Sequence, residues 1–330
     1  MRIGELKDVV LEGLAGIGVA LAIAVVSRLL QRQVAQADAL VVAVVLGMIV
    51  RRALGDRTDI FFKLLPGLTT AEAVFLPIGV ALYGKNLEVG AMLHTQAGTL
   101  AQTAIVVAVT FVAILGIGSI PWFGLSRRML FCLGFGSAVC GASAIAITTE
   151  VTECEPDETA TALVDNTIAV TIALAFIGIV MRAALGPTQY AALAGETLHQ
   201  TSFVRRAVEG MDPAIVKFAM SVKAFRIALL LVSLPIAARF LRRKSTVPWY
   251  LIAFFGVGTL FWLVPPGPGV LATVGEIQAV ALPVALATVG LRADIGIVLS
   301  RLAKPLLLVL LVFALDVGVF FVTRGLTLAG

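Results

Sequence analysis

Gly134-Phe135-Gly136-Ser137-Ala138-Val139-Cys140-Gly141-Ala142-Ser143-Ala144 lies in the middle of an apolar run from Met129 to Thr149. The run is long enough to cross a bilayer, yet its centre is small and polar where lipid favours Leu, Ile and Phe. Three glycines and two serines in eleven residues favour a break in the helix. Broken backbone at membrane depth is tolerated only where it lines a cavity or is buried in protein. In secondary transporters that is where substrate binds. The other reading is an unbroken, close-packed helix, since small residues let two membrane helices approach.

Composition sets the class. Of 330 residues, 59% are hydrophobic and 14% charged, with mean hydropathy +1.02. Soluble domains carry about a quarter charged residues. The apolar runs fill the whole length, so the chain reads as a single integral membrane domain over 1–330, multi-pass, in the cell (inner) membrane. Met1 to Asp8 is too short and acidic for a signal-peptide start, so the first run is expected to stay as a helix. The net charge of +5 is a topology signal and not a nucleic-acid signal. Cys132, Cys140 and Cys154 make no disulfide framework or metal-ligand spacing. His94 and His199 are too few for a metal site, and no phosphate-binding loop is present. No metal, cofactor or nucleic acid is expected.

A spanning helix needs about 20 mostly apolar residues. Eleven segments qualify, approximately 9–30, 38–54, 70–90, 95–118, 127–149, 160–184, 189–204, 214–240, 247–264, 271–291 and 303–323. The seventh is short and polar, and reads as a second broken helix, a re-entrant segment or an interfacial helix. With eleven spans, sixteen Lys and Arg fall on the N-terminal side, among them Arg2, Lys7, Arg57, Arg182, Arg242, Arg243 and Lys244. Seven fall on the other side. Positive residues stay inside, so the N-terminus is predicted in and the C-terminus out. The acidic loop Glu150, Glu153, Glu155, Asp157 and Glu158 then lies outside. The fold class is an all-α polytopic membrane protein of about eleven transmembrane helices.

Leu76-Pro77-Ile78-Gly79 through Gly84 is echoed by Leu282-Pro283-Val284-Ala285 through Gly290. Glu88 and Gly90 match Asp294 and Gly296 at the same offset. Seven crossings apart, the two helices are expected in opposite orientation, as an inverted-repeat transporter requires. The offset does not extend to the Gly134 stretch, whose partner would lie beyond the chain end.

An ionisable residue inside a span costs at least about 2.5–3.5 kcal/mol on insertion scales and is a functional candidate. Lys223 and Arg226 are three apart and share a helical face. They suggest an anionic ligand, acidic partners (Asp165, Glu196, Glu276 or Asp316), or snorkelling to headgroups. Glu196, His199 and Gln200 form a second cluster that would lie on one helical face. His199 is a proton carrier or a hydrogen-bonded structural group. Asp165-Asn166 and Glu276 sit near expected helix starts, where capping is the plain alternative.

Gly136-Ser137-Ala138-Val139-Cys140-Gly141-Ala142-Ser143-Ala144 resembles the Cys-Gly-Ala motif of the YeiH family of proposed sulfate exporters. Gly79 to Gly84, Pro156 after an acidic residue, Ala194-Gly195 to His199, Lys223-Ala224-Phe225-Arg226 and Gly290-Leu291 resemble the family's other motifs in order, over about 70–310. The resemblance implies a fold related to cation–proton antiporters and bile-acid symporters, with broken helices crossing at midplane. One departure is His199-Gln200, where the family has His-Glu; it puts coupling in doubt.

These readings converge on secondary transport of a small inorganic or organic oxyanion, sulfate or sulfonate-like. Ser137, Cys140, Gly141, Ala142, Ser143, Lys223 and Arg226 are the candidate substrate-binding residues. Glu196, His199, Gln200, Asp165 and Asn166 are the candidate coupling or gating residues. Other candidate partners are Na+ or H+, the lipid bilayer, and a second copy in a homodimer. The rivals are a sodium/proton antiporter on the same fold, a passive channel, and an intramembrane enzyme with Cys140 as nucleophile and His199 as base.

Overall fold

Prolines and acidic caps set where the helices begin. Pro156, Pro187, Pro213 and Pro268 each open a helix, because proline has the right φ and no amide to leave unbonded. Asp38, Asp212 and Asp294 cap the amides that follow them. Glu155 and Glu158 close a capping box around Pro156.

The computed structural model describes residues 3–33, 38–55, 58–241 and 247–328. Arg2, Arg57, Arg242, Arg243 and Lys244, used above for orientation, lie outside the described residues, as do the side chains of Lys7 and Glu150. The helices are α1 (Ile3–Gln33), α2 (Ala39–Leu54), α3 (Thr58–Tyr83), α4 (Val89–Leu93), α5 (Ala97–Gly118), α6 (Arg127–Phe135), α7 (Ala142–Thr152) and α8 (Pro156–Phe176). They continue as α9 (Pro187–Thr197), α10 (Thr201–Ala207), α11 (Pro213–Ala228), α12 (Leu230–Phe240), α13 (Trp249–Leu263), α14 (Pro268–Arg292), α15 (Ile295–Arg301) and α16 (Ala303–Leu328). Six of them (α1, α3, α5, α8, α14 and α16) contain stretches long and apolar enough to cross a bilayer. The chain is an all-helical, multi-pass membrane protein.

Two expected spans do not cross. In 127–149, α6 descends and α7 returns beside it. Cys132 Sγ lies 3.2 Å from Thr152 Oγ1, Arg128 donates to the Glu153 carbonyl, and Ser126 donates to Glu158. Both ends therefore sit on one face, with Asp157, whose carboxylate accepts the Asp294 amide at 2.6 Å. In 189–204, α9 descends from the opposite face, and α11 sets out again from there. Thr188, Ala214, Lys217 and Arg324 line one cavity on that face. The segment is thus re-entrant, one of the alternatives the sequence left open.

Because both segments double back, the later helices keep their expected direction. Among the described basic residues only Arg182 changes sides. The acidic loop moves to the face of Ser126. Nine residues of α6 rise about 14 Å, about half of a 30 Å hydrocarbon core, so the two hairpins meet tip to tip at mid-depth.

The echoed helices are neighbours. α3 and α14 run antiparallel, held at Glu72–Arg292 (2.7 Å) and touching at Gly79–Leu282 and Lys85–Gly275. The correspondence continues beyond the matched residues. α4 and α15 start at Val89 and Ile295, and α5 and α16 at Ala97 and Ala303. Thr110 Oγ1 donates to Asp316 Oδ1 at 2.8 Å across the same separation of 206.

α1, α2, α3 and α14 pack as one group, with α2 and α14 in backbone contact. A Cβ on Gly290 would lie 2.1 Å from the Val44 carbonyl oxygen. The hairpins pack with α5, α8, α11 and α16.

Candidate functional site

The first tip forms because the helix cannot continue. Residues Gly136–Cys140 make one π-helical turn, and Gly141 follows at φ +70° and ψ −128°. A side chain there would be strained, and its Cβ would fall 2.3 Å from Gln200 Cγ. The second tip is Leu198–Gln200, extended backbone between α9 and α10. Each tip exposes the last carbonyls of one short helix, which have no partner within that helix.

Lys223 and Arg226 of α11 fill that need for both tips at once. Lys223 Nζ donates to the carbonyls of Val139 (2.6 Å), Leu198 (2.9 Å) and His199 (2.5 Å). Arg226 Nε donates to Ala138 at 2.5 Å, its Nη2 to Ser137, and its Nη1 to Glu196 and, at 3.4 Å, to Leu198. Both side chains are fully buried, so they do not snorkel. Their hydrogen-bond partners are carbonyls, where acidic side chains were candidates. Cations at the negative ends of two helices are also favourable electrostatically.

Around this clamp, Asn166 donates to Ser137 Oγ at 3.2 Å and Gln200 donates to Thr167 Oγ1 at 2.7 Å. Ser143, at the start of α7 behind Ala142, donates to Cys140 Sγ at 2.9 Å. Cys140 and Ser143 face a cavity of about 10 Å³, room for about one water, closed by Tyr83, Phe254 and Leu282. This is the seam between the hairpins and the α3–α14 group.

The carboxylates are the unbalanced part. Asp165, Glu196 and Asp316 are fully buried; Glu196 faces Arg324 and Arg226, and Asp316 faces Arg226, whereas Asp165 faces no cation. Glu196 Oε1 accepts from Thr103 at 3.4 Å, and Asp316 accepts from Thr110. Neither oxygen of Asp165 has a partner, and Asn166 Oδ1 and Gln200 Oε1 are also unpaired. A buried carboxylate without a counter-charge is stable only when it holds a proton or a cation.

Several expectations change. Asp165 lies nine residues into α8, so it does not cap; Glu155 does. Glu276 lies well inside α14, exposed and paired with Arg28 at 2.8 Å, away from the clamp. Glu196, His199 and Gln200 do not share a helical face, because α9 ends at Thr197. His199 is buried, its ring edge-on to Phe313 at 6.5 Å. Thr103 and Thr110 have no counterpart among the residues the sequence points to. Threonines in apolar helices usually bond their own backbone, so their sequence signal is weak.

Comparison with known proteins places the chain among membrane proteins. A family model described as conserved hypothetical protein 698 matches residues 15–309. A UPF0324 membrane protein of Archaeoglobus fulgidus is 30% identical over 70% of each chain. One from Bacteroides thetaiotaomicron is 28% identical, covering 87% of this chain and 90% of its own. The UPF0324 inner membrane protein YeiH of Salmonella typhimurium is 27% identical, covering 84% and 82%. No solved structure matches the chain.

Proposed function

Because the chain belongs to the family described as conserved hypothetical protein 698, whose relatives are membrane proteins, we propose that it is a secondary transporter of a small oxyanion. One observation carries the transport reading. Two helical hairpins enter from opposite faces, and one cationic pair joins their broken tips at mid-depth. In secondary transporters broken backbone at that depth forms the substrate site, which supports this reading. The antiparallel α3–α4–α5 and α14–α15–α16 units then form an inverted repeat, with the hairpins as its second half.

Lys223 and Arg226 each bond both tips, so the tips move together. Alternating access then comes from sliding the hairpin group against α1, α2, α3 and α14, opening the seam at Ser143 and Cys140. The α7 amides and Ser143 are the donors offered to an anion there. Lys223 and Arg226 act from behind, by neutralising the carbonyl ends. Asp165 carries the coupling proton, with no covalent chemistry in the cycle.

The unpaired acceptors Asp165, Asn166 Oδ1 and Gln200 Oε1 favour one second reading, a cation–proton antiporter. Flux of radiolabelled sulfate and of an organic sulfonate into proteoliposomes, with and without a pH gradient, separates the two. Oxyanion flux lost in Ser143→Leu supports the first. Sodium-dependent collapse of the pH gradient without oxyanion flux supports the second. Unchanged oxyanion flux in both Ser143→Leu and Arg226→Ala sinks the site assignment.

A further inference from the structure

On the face opposite Asp157, two cavities of about 390 and 460 Å³ adjoin, sharing Ala91, His94 and Lys217. The first is walled by α4, the start of α5, α11 and the end of α16. Its polar lining is His94, Gln96, Lys217, Arg324 and a set of hydroxyls, with no acid. The second brings Lys85 and a single acid, Glu88. Lys217 is exposed and stands where the two chambers meet.

The inner wall of the first chamber is a hydroxyl pair. Thr95 Oγ1 and Ser221 Oγ lie 2.8 Å apart. Thr95 also reaches the Ala91 carbonyl (2.9 Å) and Ser221 the Phe218 carbonyl (2.7 Å). Two hydroxyl protons are thus shared among three contacts, so one can turn to a new acceptor at little cost. Ser221 is two residues before Lys223 on α11, about 3 Å along the helix axis. The chamber therefore reaches nearly the depth of the hairpin tips, with α11 as the wall between.

We propose that this chamber is a capture site for a free small oxyanion, held by Lys217, Arg324 and the Thr95–Ser221 hydroxyls before it passes to the seam. The proposal rests on the oxyanion-transport reading and adds a second, peripheral site to it. Basic side chains lining a walled cleft concentrate anions there and speed their entry. A lipid phosphate has the same chemistry, so the test separates the two sources.

The test is equilibrium binding of radiolabelled inorganic sulfate to the purified full chain in nanodiscs of phosphatidylcholine, with and without phosphatidylglycerol. Lys217→Ala is expected to weaken binding about fivefold, the loss of one solvated contact worth about 1 kcal/mol. Lys217→Arg should stay within about twofold, and Ser143→Leu should bind sulfate while failing in flux. Sulfate binding that is absent, that ignores Lys217, or that phosphatidylglycerol displaces overturns the proposal. Binding that follows Lys217 in a protein without flux leaves the chamber standing and fails the transport reading alone.

Discussion

Arg226→Lys is the sharpest single perturbation of the clamp. Arg226 serves the Ser137, Ala138, Glu196 and Leu198 carbonyls from three nitrogens. A lysine keeps the charge but donates from one nitrogen, and cannot reach all four carbonyls as the planar fork does. Leu198 retains Lys223, so about two carbonyls are left without a donor. Each unsatisfied buried carbonyl costs about 1–3 kcal/mol, giving a loss of about 2–6 kcal/mol. Melting followed by intrinsic tryptophan fluorescence in detergent should then fall by about 5 °C or more. Flux should drop further than stability alone explains, because coupling of the two tips then rests mainly on Lys223. Arg226→Lys within about 0.5 kcal/mol of wild type, the range of an ordinary surface change, would refute the clamp.

Three further outcomes follow from the same geometry. Gly141→Ala forces an L side chain to φ +70° against Gln200; it should destabilise the fold by about 1–3 kcal/mol, read by the same melting assay. Asp165→Asn should leave the melting temperature near wild type while removing the pH-gradient dependence of flux. Lys223→Met strips the donor from Val139 and His199 and should cost about 2–6 kcal/mol. Combined with Arg226→Lys the loss should exceed the sum, since Leu198 keeps one donor in each single variant and loses both in the double.

Much of the fold is written locally. The run at 95–118 becomes α5 (Ala97–Gly118) because apolar length alone specifies such a helix. The break near Gly134 is legible because glycine and serine are weak helix formers. The hairpins are not. α6 and α7 together are as long as one crossing helix, so hydropathy measures their length and cannot see that the chain turns at Gly141. Only long-range contacts such as Arg128–Glu153 and Cys132–Thr152 decide it. The role of Lys223 was hidden for a similar reason: its partners are backbone carbonyls, which every residue has. Asp165 was read as near a helix start because the apolar stretch begins near Ala160. The capping box at Glu155–Glu158 starts the helix earlier and carries Asp165 into the core.

Sidedness of labelling tests the two opposed hairpins directly. In a Cys154→Ser background, single cysteines at Arg128, Glu155, Thr188 and Ala214, all exposed, would be labelled with a membrane-impermeant maleimide in oriented vesicles. With opposed hairpins, positions 128 and 155 react from one side and positions 188 and 214 from the other. Labelling of 128 and 155 from opposite sides would make 127–149 a crossing helix and contradict this arrangement.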